Sequence, residues 1–156
     1  MISVEFFATD KSVLRIEIHD YEFPNDLDGA CDFLLMNVSL RNKNGAQNPK
    51  HHERNAFALA ADIHIFLNDL KNFQNHNTDT IEFCPFEPDF EMHLARIKND
   101  NKQIKIFGHF DKPRESEEKT YGDVMYPFAF KMRSDFLPKI MEKIEEAAKR
   151  FPQRDG

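Results

Sequence analysis

The sequence predicts an α+β fold, a mostly antiparallel sheet of about seven strands with two helices in the order βββαββββα, built as a single domain over residues 1–156. Three observations predict it. Apolar and polar residues alternate with period two through most of the chain, the mark of strands with one buried face. Two segments change to a spacing of three and four, the mark of amphipathic helices. The strands also come in runs instead of alternating with helices, which favours hairpins backed by helices over a parallel sheet joined by crossovers. A length of 156 residues suits one domain with its own core. No fixed-period repeat, low-complexity tract or Ser/Gly-rich linker divides it.

Taken in order, Val4 and Phe6 oppose Ser3 and Glu5, and Leu14, Ile16 and Ile18 oppose Arg15, Glu17 and His19. Thr9-Asp10-Lys11-Ser12 between them has turn chemistry, so the pair reads as a hairpin. Phe33 to Leu40 is almost wholly apolar and reads as a central strand covered on both faces. Asn42 to Lys50, polar and containing Gly45 and Pro49, reads as a loop. From Ala56 the period becomes helical: Leu59, Ile63, Phe66, Leu70 and Phe73 form one stripe, with Asn55 as the expected N-cap and an end near Phe73. Ile81 and Phe83 make a short strand stopped by Pro85 and Pro88. Phe90, Met92 and Leu94, then Ile104, Ile106, Gly108 and Phe110, form a second hairpin turned at Lys98-Asn99-Asp100-Asn101. Pro113 to Gly122 is a charged excursion expected to be mobile, and Tyr126, Phe128, Phe130 and Met132 share one face of the last strand. The closing helix is capped by Ser134 or Asp135, carries Pro138 in its first turn and has Phe136, Ile140, Ile144, Ala147 and Phe151 on its apolar face. Lys149 and Arg150 sit at its negative end, and Pro152 stops it.

Composition narrows the function. With 21 Lys+Arg against 27 Asp+Glu the formal net charge is -6, the wrong sign for a general nucleic-acid binder, which needs basic phosphate contacts. No apolar run approaches a membrane span, and Met1-Ile2-Ser3-Val4-Glu5 has neither the basic start nor the apolar stretch of a signal peptide, so the expected location is the cytoplasm. Cys31 and Cys84 fit a reducing compartment and are expected to be buried and free, although spacing alone does not settle whether they pair. Sixteen phenylalanines and no tryptophan make Phe the main aromatic material of the core.

No catalytic motif emerges. His51-His52-Glu53 lacks a further histidine one helical turn away, as a zinc pair on a helix requires. His64 lies beside the first helix's stripe, His76 in a loop, and His19, His93 and His109 on wet strand faces, where they are expected to be solvated or locally bonded. The second hairpin can bring His93 and His109 together. Neither a G-x-S-x-G elbow nor a glycine-rich phosphate loop occurs, and Asp26, Asp28 and Asp32 lack the closing Glu of a calcium loop. No catalytic residue, metal ligand or cofactor is therefore assigned, and the chain reads as non-enzymatic. What remains is charge placement. Asp20, Glu22, Asp26, Asp28 and Asp32 surround one loop and Glu82, Glu87, Asp89 and Glu91 another, and neither loop holds a basic residue. Such loops either form a negative patch that steers a basic partner or simply keep a small protein soluble.

Several motifs resemble the WapI-like immunity proteins of bacterial contact-dependent and polymorphic toxin systems. Tyr21-Glu22-Phe23-Pro24 after the strand Leu14 to His19 is similar to that family's L-x-I-x-G-Y-x-F-P opening, with Asp20 in place of the glycine. Asp32-Phe33-Leu34 stands where the family has N-W-L, and Ala61-Asp62-Ile63 to Phe66-Leu67 resembles its E-L-x-x-L-x-x-W-L helix. Ile81-Glu82-Phe83 with Glu87-Pro88-Asp89-Phe90 is similar to L-x-F-x-E-P-N-L, with two residues inserted before Phe86-Glu87-Pro88. Phe151-Pro152-Gln153-Arg154 corresponds to the terminal F-P-x-R. The resemblance spans about residues 14 to 154 and implies a cytoplasmic protein that binds and neutralises one cognate toxin domain, often a nuclease with a basic face. On that footing Asp26, Asp28, Asp32, Glu87, Asp89 and Glu91 are the expected partner-binding residues. Two other classes compete: a small-molecule module holding an apolar ligand among Phe107, Phe110, Phe128 and Phe130, and a metal-dependent hydrolase.

Overall fold

The computed structural model describes residues 1–25, 32–45, 47–48, 55–85, 90–111 and 125–154. Among them the strands are β1 (Ile2–Phe7), β2 (Val13–Tyr21), β3 (Phe33–Arg41), β4 (Gln47–Asn48), β5 (Asn55–Leu59), β6 (Thr80–Phe83), β7 (Phe90–Ile97), β8 (Asp100–Asp111) and β9 (Met125–Arg133). The helices are α1 (Ala60–Gln74), between β5 and β6, and α2 (Leu137–Arg150), which closes the fold. Every pairing between these strands is antiparallel. The α+β class is as predicted. The count of seven strands is corrected to nine among the described residues, and the single sheet to two. The first sheet runs β1-β2-β3 with β4 and β5 both on β3, and the second runs β6-β7-β8-β9.

The two sheets meet at one seam. Ala8 bridges Met132, and Thr9 donates its N–H to the Lys131 carbonyl at 2.8 Å, so the outer strands β1 and β9 touch. α1 packs on α2 and β6, and α2 packs on β1. Both sheets thus turn their apolar faces onto the same pair of helices, and one buried cluster draws on all of them. Its aromatic part is continuous from Phe66 of α1 through Phe83 and Phe90 to Phe110, Phe128 and Phe130, with ring centroids 5.0 to 6.4 Å apart. This packing answers the small-molecule reading. Phe110, Phe128 and Phe130 are buried against one another, whereas Phe107, one step out of phase, lies on the opposite face of β8. Among the described residues no helix is long and apolar enough to cross a membrane.

Local chemistry explains where the elements depart from expectation. Asn55–Leu59 is an edge strand on β3 and not the start of a helix, because pairing Ala58 with Leu34 buries it fully. α1 then starts at Ala60, where the Asp62 carboxylate accepts the Leu59 N–H at 2.8 Å and satisfies one of the donors a helix start leaves open. The closing helix is likewise delayed. Ser134–Phe136 form a single 3-10 turn, Ser134 Oγ bonds the Asn101 carbonyl instead of capping, and Pro138 falls in the first turn of α2. β3 is covered on one face only: Leu34, Met36 and Val38 are buried, while the alternate residues are half exposed. The excursion from Pro113 to Gly122 lies outside the described residues.

Two irregular positions fix how the sheets present their residues. A bulge between Ile18 and Asp20 shifts β2 by one residue, so Tyr21 pairs with Leu34 and lands on the core side instead of beside Arg15 and Glu17. In the second sheet Gly108 pairs with both Met92 and Phe128. A Cβ there would stand 1.9 Å from the Glu91 carbonyl oxygen, so only glycine allows β7 and β8 to approach this closely.

Candidate functional site

Because Ile81, Phe83, Met92, Leu94 and Ile106 point inward, the intervening Glu82, Glu91, His93, Phe107 and His109 share the outer face of the second sheet. Register sets Glu82 opposite His93, and Glu91 opposite His109. His93 lies flat on Phe107 with centroids 5.0 Å apart and planes at 12°, which holds the ring in place. From there its Nε2 meets Glu91 Oε1 at 2.5 Å, and its Nδ1 lies 3.9 Å from Glu82 Oε2. His109 Nε2 reaches the other oxygen of Glu91 at 3.9 Å. Glu91, His93 and His109 are only a quarter or so exposed, whereas the Glu82 side chain is 64% exposed.

This edge is electrically negative, and neighbouring groups register it. Burial pushes the Cys84 thiol above its ordinary value, and the charges of Glu91, Glu82 and Asp62 push it further. The Asp69 carboxyl of α1 is raised first by burial and then by Glu82. Cys84 itself is a free, exposed thiol, contrary to the expectation of burial, because it takes the outward position after inward Phe83. Cys31 lies outside the described residues.

Of the six expected partner-binding residues, Asp26, Asp28, Glu87 and Asp89 lie outside the described residues. Glu91 sits on the acidic edge of the second sheet, beside Glu82 and His93. Asp32 is placed differently. Its side chain is 12% exposed, Oδ1 accepts Arg154 Nε at 2.5 Å, and Oδ2 accepts the Arg154 backbone N–H at 2.8 Å. The Arg154 guanidinium covers the Tyr21 ring at 4.0 Å and donates to the Phe23 carbonyl at 3.0 Å. Tyr21 in turn donates its hydroxyl to the Pro152 carbonyl at 2.5 Å and meets Phe151 edge-on at 5.5 Å. Burial, then the charge of Asp32, raises the Tyr21 phenol above its ordinary value, with Arg154 opposing. Three distant motifs, around Tyr21, Asp32 and Phe151-Pro152-Gln153-Arg154, are therefore one latch that pins the tail across the ends of β2 and β3.

The first turn of α1 stands between Asp32 and Cys84. Ala60 donates its N–H to the Asp32 carbonyl at 2.9 Å, and the charge of Asp62 acts on Cys84 at the other side. The sequence marks Glu82 as part of the acidic cluster and Arg154 as part of the terminal F-P-x-R, but carries no signal for Asp69 or for the pairing of Arg154 with Asp32, which packing alone brings about. The remaining histidines are locally bonded or apart: His19 contacts Asn37 at 3.3 Å, His64 contacts the Phe151 carbonyl at 3.3 Å, and His51 and His52 lie outside the described residues.

A family model described as the immunity protein WapI-like family matches residues 5–152, nearly the whole chain. Neither the curated proteins nor the solved structures hold a significant match.

Proposed function

The chain belongs to the immunity protein WapI-like family, and from that membership we propose that it is a non-enzymatic, cytoplasmic inhibitor that binds and neutralises one cognate bacterial toxin domain, a nuclease, through an acidic surface. The family match carries the reading. The carboxylates around β6, β7 and the start of α1 support its electrostatic part. A nuclease presents a basic face to phosphate, and an inhibitor that covers this face with carboxylates associates quickly and discriminates against partners lacking the charge pattern.

The surface comprises Asp26, Asp28, Asp32, Glu87, Asp89 and Glu91, with Glu82 extending it along β6. Asp32 contributes by anchoring the tail and the loop before β3, since its carboxylate is engaged by Arg154. Glu87, Asp89 and Glu91 supply the steering charge. The test uses the purified chain and the toxin domain encoded beside it, with calorimetry for affinity and growth rescue for neutralisation. Reversing Glu87, Asp89 and Glu91 together to Lys weakens binding at least about tenfold and makes it less salt-sensitive, while Glu142→Lys on exposed α2 changes it little. Equal affinity for the two variants would remove the acidic surface from the reading. No binding and no rescue by the unaltered chain would remove the pairing itself.

A further inference from the structure

The outer face of the second sheet carries a second, separable chemistry. We propose that Glu82, Glu91 and His93 form a binding site for a divalent transition-metal ion of the zinc type, with His109 held behind Glu91 as its orienting partner. One ligand atom from each of the three lies within 4.8 Å of the others. Tetrahedral zinc with bonds of about 2.1 Å places its ligands about 3.4 Å apart, so closure needs a shift of roughly an ångström. Glu82 can make that shift, because its side chain is 64% exposed.

The positions are fixed by the sheet and not by a loop. Glu82 and His93 are direct cross-strand partners on β6 and β7, and Glu91 is two residues before His93 on the same face. Stacking on Phe107 restricts the His93 ring to an orientation with a nitrogen toward each carboxylate. His109 stands behind Glu91, with Nε2 3.9 Å from its second oxygen. Among the described residues neither Glu82 nor Glu91 is paired with a lysine or arginine, so the two negative charges meet only imidazoles. One imidazole and two carboxylates are the donor set of borderline divalent ions, with a fourth position left to solvent. The negative field that raises the Cys84 thiol also favours a cation here.

Metal binding at this face is independent of the toxin. Zinc chloride is titrated into the purified full chain by calorimetry, and cobalt chloride is followed by its visible absorption, which is intense only when coordination is tetrahedral. One equivalent of zinc binds. Glu82→Gln weakens it about tenfold and His93→Ala about a hundredfold or more, each with an unchanged far-ultraviolet circular dichroism spectrum. Glu82→Gln keeps the test decisive if His93→Ala fails to fold. Zinc binding unchanged in Glu82→Gln, or no binding to the unaltered chain, would overturn the site while leaving the toxin reading untouched.

Discussion

Around Asp32 and around Glu91 the chain sets carboxylates beside basic groups, yet it treats the two regions oppositely. In the latch the charges cancel: Asp32 and Arg154 are each 12% exposed, and every contact of the pair serves to hold the tail on β2 and β3. On the acidic edge the carboxylates meet only imidazoles among the described residues, and Glu82 stands well into solvent. A buried pair contributes order, because losing either partner strands the other charge in a poor solvent. Half-exposed charges contribute little to stability and much to encounter with a partner. The motifs that the family shares fall mainly on the latch, whereas the two inserted residues before Phe86-Glu87-Pro88 fall next to the edge. The motifs shared with the family thus belong to the scaffold, while the departure in spacing falls beside Glu82 and Glu91.

The sharpest way to break this contrast is at Gly108. A Cβ there meets the Glu91 carbonyl, so Gly108→Ala forces β7 from β8 and lowers unfolding free energy in urea by about 4 kcal/mol or more. A loss below about 1 kcal/mol would mean that the close approach is not needed. Next comes the latch itself. Asp32→Ala lowers stability by about 3 kcal/mol, and Arg154→Met added to it costs little more, because the stranded charge is gone. Strict additivity in that double-mutant cycle would show that the pair does not act as a unit. The smallest effect belongs to the edge. The Asp69 carboxyl is raised above its ordinary 3.8, so ionising it opposes folding; that penalty is present above its folded value and absent once pH falls below 3.8. Asp69→Asn therefore raises the melting temperature slightly at pH 7, and the gain disappears in acid. A variant that melts lower at pH 7 would contradict the negative field at this edge.

How far the sequence could be read depends on the range of each interaction. Period-two alternation needs only neighbours, and it located β1, β2, β6, β7 and β9 within a residue or two of their observed bounds, while β8 begins four residues before Ile104, inside the expected turn. Residues 55–59 misled because Leu59 also fits the helical stripe that continues through Ile63 and Phe66; tertiary pairing with Phe33–Met36 decided the matter. Tyr21 could not be assigned to the core, since a bulge reverses its face without leaving a mark in the local pattern. Arg96 is a similar case. It follows Phe90, Met92 and Leu94 on the inward face, where its guanidinium covers the Phe73 ring at 4.4 Å and donates to the Phe73 carbonyl at the end of α1. Alternation predicts an apolar residue there, and only the negative end of a helix explains a cation. On the candidate site, the placing of Glu82, Glu91, His93 and His109 on one sheet face was legible from the hairpin, whereas register sets His93 against Phe107 and His109 against Glu91. The engagement of Asp32 by a residue 122 positions away was not legible.

The latch also sets an order of events during synthesis. Asp32 is made 122 residues before its partner, and the seam between Ala8 and Met132 spans slightly more chain. The seam cannot form until β9 has emerged, and the latch waits further for the segment after α2. The hairpins β1-β2 and β7-β8 can pair as they appear, since each is local. The first sheet must therefore wait with its apolar face open while most of the polypeptide is still being made. Loops closed over so many residues delay folding more than they affect final stability. The first sheet is thus an open surface until α2 and the tail behind it arrive to seal it.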